Sequence, residues 1–111
     1  MPAPYRSRTI RDPGDTGAID TGRSGVCALI SAGAETRTVP APQFLGQEIT
    51  ICFDTDGGDV TATAPATVNQ TGNNTLIFAD AGDEITLRAI SLADGMIWRV
   101  ASNDGVALST V

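Results

Sequence analysis

The residues best placed to do chemistry are Asp54-Thr55-Asp56-Gly57-Gly58-Asp59, where three carboxylates in one turn could offer hard oxygen ligands to Ca²⁺. The segment lacks the twelve-residue loop and closing glutamate of an EF-hand. Turn chemistry accounts for the same residues without an ion, because Asp and Gly favour hairpin conformations, so no cofactor or metal is expected. The turn at 80–84, Asp80-Ala81-Gly82-Asp83-Glu84, has still less to offer a cation. Paired carboxylates can act as acid and base in glycoside cleavage, but that requires a cleft and one raised pKa. Here the carboxylates gather in turns, where water keeps them ionised. The chain contains no histidine, which excludes Ser-His-Asp and Cys-His catalysis and every histidine-ligated metal. The expectation is a protein that is not an enzyme.

Cys27 and Cys52 each lie inside an apolar run, Val26-Cys27-Ala28-Leu29-Ile30 and Ile49-Thr50-Ile51-Cys52-Phe53. They read as two reduced thiols used as small hydrophobes, with a disulfide between neighbouring strands as the alternative. Asn69-Gln70-Thr71 and Asn73-Asn74-Thr75 match the N-glycosylation acceptor pattern, yet residues 1–25 contain no continuous apolar segment of the kind a secretory signal needs. Arg88 and Arg99 fall on the outward phase of two adjacent strands. They make either a solvated face or, with Ile90, Leu92 and Ile97, a patch that needs cover.

These side chains have to be positioned by β-structure. The organising stretch is 84–103, two runs of period two joined at Asp94-Gly95, with Ile85, Leu87 and Ala89 on one face of the first arm and Met96, Trp98 and Val100 on one face of the second. The alternation slips after Ala89, which suggests a bulge or a strand buried on both faces. Further strands are expected at 25–31, 35–39, 47–53, 59–64, 75–79 and 106–111. The runs 47–53 and 59–64 should pair as a hairpin across the aspartate-glycine turn, and Phe44 and Leu45 should cover one end of the core. No helical period occurs. The fold class is therefore all-β: a single-domain β-sandwich, jelly roll or small barrel of about eight short antiparallel strands with an extended N-terminal arm.

The domain is expected to span 25–111 and the arm 1–24. Pro2, Pro4, Pro13, Gly14, Gly17 and Gly22 prevent a helix or central strand in the arm. Such an arm either dangles as a disordered terminus or orders along a neighbouring subunit; its isolated apolar residues Tyr5, Ile10 and Ile19, interleaved with Arg6, Arg8 and Arg11, favour a docking strip over a solvating tail. On this reading, deleting 1–22 would leave the domain folded and weaken assembly.

The chain has 111 residues and a formal net charge of −6, all seven of its cations being arginine. Residues 1–23 carry four arginines and three carboxylates, whereas 24–111 carry three arginines and ten carboxylates. An acidic domain repels phosphate backbones, so no nucleic-acid partner is expected unless the short arm alone binds one. No stretch is long enough to span a bilayer, and no membrane partner is expected. The protein should be made in the cytoplasm of its host and stay there unless it leaves in a larger particle.

Three phrases in 36–108 resemble a known group. They are Thr-Arg-Thr-Val-Pro-Ala-Pro at 36–42, the long run 44–90 from Phe44-Leu45-Gly46-Gln47 to Arg88-Ala89-Ile90, and Trp98-Arg99-Val100-Ala101-Ser102-Asn103-Asp104-Gly105 leading to Leu108. The pattern resembles the capsid decoration, or cement, proteins of tailed bacteriophages, across about two thirds of the chain; the segment before Ser24 is not part of it. The resemblance implies a virion protein on the outer surface of the capsid, commonly a homotrimer, which bridges neighbouring copies of the major capsid protein. Arg6, Arg8 and Arg11 would then meet carboxylates on the shell, and Tyr5, Ile10 and Ile19 would fill shallow pockets. The competing class is a phage tail or receptor-binding β-module that recognises a host surface glycan through the loops at 54–59 and 66–74. A third is a ring-forming tail-tube or head-completion component.

Overall fold

The computed structural model describes residues 8–65, 67–69, 72–93 and 95–110. The Asp94 half of the expected turn lies outside them; Gly95 has a φ of 129°, open to glycine and strained for other residues. The described residues contain no helix and ten strands: β1 Thr9–Ile10, β2 Gly17–Ala18, β3 Gly25–Ile30, β4 Glu35–Thr38, β5 Glu48–Thr55, β6 Val60–Thr63, β7 Thr75–Phe78, β8 Glu84–Leu92, β9 Gly95–Asp104 and β10 Ala107–Ser109. They form two five-stranded sheets in the orders β1-β3-β5-β8-β9 and β10-β7-β6-β4-β2. The result is a compact, single-domain, sandwich-like fold, not a closed barrel.

The first six strands alternate between the sheets. β1, β3 and β5 lie parallel in one, and β2, β4 and β6 lie parallel in the other. The chain therefore winds as a flattened coil of three turns, 8–24, 25–46 and 47–64, each stacked on the one before. β7 to β10 then complete both sheets with antiparallel pairs. The sheets are thus mixed, where all-antiparallel pairing was expected. Nor do 47–53 and 59–64 form a hairpin: β5 pairs with β3 and β8, and β6 with β4 and β7. The turn at 54–59 is instead a corner where the chain crosses between sheets.

That corner explains its glycines. A Cβ on Gly57 would run into the Ser31 carbonyl, and one on Gly58 into the backbone of Gly33 and Ala34. The corners of successive turns touch backbone to backbone, and Ser31 locks them: its Oγ donates to Gly58 O at 2.7 Å and accepts from Gly57 N at 3.1 Å.

The expected arm is the first turn of this coil over the residues described. β1 pairs with β3, β2 pairs with β4, and Ile10 and Ile19 are buried with Leu29, Val39, Ile49, Phe53 and Trp98 in one core. Proline and glycine at 13–22 shape a corner here and do not keep the segment off the domain. Phe44 and Leu45 differ from expectation in the other direction, being 45% and 62% exposed.

The organising hairpin is present as β8 and β9. Its irregularity falls between Thr86 and Leu87, where Ala101 is the extra residue of the partner strand, and the pairing continues in register through Ala89 to Leu92. Trp98 is fully buried and its indole N–H donates to Pro40 O at 2.9 Å. Both cysteines are free: Cys27 points into the core and Cys52 to the other face of the same sheet. Burial pushes the Cys27 thiol up to about 12.

Candidate interaction surface

The most elaborate polar constellation is Asp12, Glu35 and Arg37. Arg37 faces inward in β4, on the same phase as Val39, and its side chain is fully buried. Its Nε donates to Asp12 Oδ1 at 2.7 Å and its Nη2 to Asp12 Oδ2 at 3.0 Å, while Glu35 Oε1 lies 3.0 Å from Nη2. The carbonyl of Ile30 also accepts from Nη2 and that of Thr36 from Nη1. Asp12 in turn accepts from the backbone N–H of Gly14 and of Ile30. Burial would raise the Asp12 carboxyl, but hydrogen bonds from Arg37, Ile30 and Gly14 outweigh it and hold the group below its ordinary value. The hydrogen bond to Asp12 leads the causes that raise the Arg37 pKa further. Every strong donor in this cluster points at a protein acceptor, so it ties the first turn to the second and offers nothing to a substrate.

Gln47 does the same at the opposite corner. It is fully buried, its Nε2 donates to Thr21 O at 2.6 Å and Arg23 O at 3.1 Å, and its Oε1 accepts from Gln43 N. Among the described residues, no buried side-chain nitrogen or oxygen lacks a hydrogen-bond partner. The carboxylates of the 54–59 turn are exposed, and among the described residues no group of three or more His, Cys, Asp or Glu could hold a metal ion.

A surface open to a partner lies on the outer face of the β1-β3-β5-β8-β9 sheet. A shallow recess of about 270 Å³ is lined by Arg8, Ser24, Gly25, Val26, Gly46, Glu48 and Thr50. Val26 and Ile30 project outward from β3 and are 46% and 55% exposed. Phe44 and Leu45 lead directly into Gly46 at the rim, where Gly46 N donates to Ala89 O and holds the loop beside β8. Parallel strands are normally covered on both faces; among the described residues nothing covers the outward Val26 and Ile30 of β3.

The residues expected in the docking strip are divided by this geometry. Tyr5 and Arg6 lie outside the described residues. Ile10 and Ile19 are 1% and 0% exposed in the chain's own core, so they cannot also fill pockets on a neighbour. Arg8 and Arg11 are exposed, and Arg8 lines the recess. Sequence reasoning missed the outward Val26 and Ile30 because a continuous apolar run looks the same whether one face is covered or both. Arg37 carried a readable signal, since in 35–39 it shares its phase with Val39. No family model matches this chain, and no curated protein matches it either.

Proposed function

We propose that this chain is a non-enzymatic structural protein of a virus particle, seated on the outer surface of the capsid, which stabilises the shell by bridging neighbouring major capsid subunits. The observation that carries the reading is the exposed apolar set Val26, Phe44 and Leu45 beside the recess that Arg8 and Glu48 line, with Ile30 exposed further along β3. Apolar side chains rimmed by charge suit a contact with another protein surface. The polar groups of the interior are occupied in holding the coil together, and the domain's excess of carboxylates keeps it off nucleic acid. The partners are the major capsid protein and further copies of this chain. A modest contact repeated over a symmetric shell then stabilises by multiplicity.

The experiment is to measure the copy number and position of this chain in purified particles, by quantitative protein analysis and antibody labelling in the electron microscope. Hundreds of copies over the head support the proposal. A few copies at the tail tip overturn it in favour of a tail or glycan-binding module. The surface itself is tested with Phe44→Asp and Leu45→Asp, which should abolish binding to shells lacking the protein and leave the fold intact.

A further inference from the structure

The outer face of the β8 and β9 ribbon carries two like-charge pairs. Arg88 stands directly opposite Arg99, and Glu84 directly opposite Asp104, with Thr86 and Ser102 opposite each other between them. All four charged residues are exposed and outward. Like charges directly opposite on a sheet face destabilise it, and the interior does not relieve them. Arg88 has Glu48 at 3.8 Å, with both side chains about half exposed; Arg99, Glu84 and Asp104 make no ion pair among the described residues. Asp54 adds a third carboxylate to the acidic end, since it and Glu84 both act on Cys52 between them.

The two pairs are opposite in sign and lie four residues apart along β8, or about 13 Å. A two-fold axis lying in the contact plane and running across the strands at the Thr86 and Ser102 pair sets Arg88 of one copy over Glu84 of the other, and Arg99 over Asp104. We propose that this face binds a second copy of the chain, ribbon against ribbon and antiparallel, so that each arginine pair meets the partner's carboxylate pair. Such a contact is self-complementary, as a two-fold interface must be. Between the charged ends it sets Thr86 and Ser102 of one copy against those of the other. The ribbon is two strands wide, about 5 Å between strand axes, so charge dominates over buried area. The proposal concerns the free chain and does not depend on the capsid reading.

Two variants test it, R88E/R99E and E84R/D104R, each with one end of the ribbon reversed. Sedimentation is measured near 0.15 M salt, where a screening length of about 8 Å mutes the mutual repulsion of two acidic bodies but not charges in contact. The wild-type chain should dimerise as its concentration is raised. Each variant alone should associate about a hundredfold more weakly, and an equimolar mixture should recover a one-to-one pair, because both of its contacts are then attractive. Circular dichroism and Trp98 emission report whether each variant folds; the neutral pair R99Q and E84Q, which should both weaken the dimer, serves if a reversed variant does not. A wild-type chain that stays monomeric overturns the proposal. So does association larger than a dimer, or variants that associate as the wild type does.

Discussion

Arg37 is fully buried, and its guanidinium is matched atom for atom by Asp12, Glu35 and two carbonyls. Replacing it with Met strands two carboxylates against the core, and should cost about 3 kcal/mol, measured as a lower urea midpoint at neutral pH. Acid acts through the same cluster. Asp12 is held below its ordinary carboxyl value, so its contribution is complete above about pH 4 and is lost as the pH falls through its folded-state pKa. The Asp12→Asn variant should therefore be less stable than wild type at pH 7 but lose less on acidification, which urea midpoints from pH 7 down to pH 3 will show. Gly57 is the third residue whose identity is fixed by what surrounds it. Gly57→Ala must push against the Ser31 carbonyl and should cost about 1–3 kcal/mol.

At the scale of elements, the strands from 25 onward were legible in the sequence because each alternates or is bounded by Gly, Pro, Asn or Asp. Which strand pairs with which was not. Ile49, Ile51 and Phe53 followed by an aspartate-glycine turn and then Val60, Ala62 and Ala64 satisfy every local rule for a hairpin, yet the two runs enter different sheets. Only the contacts of Gly57 and Gly58 with the preceding corner decide the matter, and those are set by residues more than twenty positions away. The same blindness made an arm of 8–24. A strand of two residues gives no periodicity, and Ile10 and Ile19 look isolated until the coil brings both into one core. Of the residues now proposed for docking, Arg8 was singled out in the sequence and Glu48 was not, and the exposed apolar ones were misassigned, since Phe44 and Leu45 look like ordinary core residues in a loop. Deleting 1–22 is now expected to remove Ile10, Ile19 and Asp12 from the fold and to leave the remainder unfolded or strongly destabilised, a result that circular dichroism of the truncated chain will show.

Considered whole, the molecule has one core shared by both sheets and by all three turns of the coil. Its unfolding should be a single cooperative transition. Trp98, fully buried and bonded to Pro40, reports on the interior by fluorescence, and far-ultraviolet circular dichroism reports on the sheets; the two should give coincident urea curves. Parallel neighbours separated by a whole turn make most pairings non-local, which slows folding. Winding by whole turns also bears on how such a chain can change length. A stretch inserted at one corner adds a strand to each sheet at once and meets the same kind of neighbour above and below, so each turn behaves as a repeat with its own neighbour interfaces. A partial insertion leaves one sheet a strand longer than the other and a gap between them. Variation in this architecture is therefore stepwise: related chains should differ by complete turns, while the antiparallel strands β7 to β10 continue to close the stack.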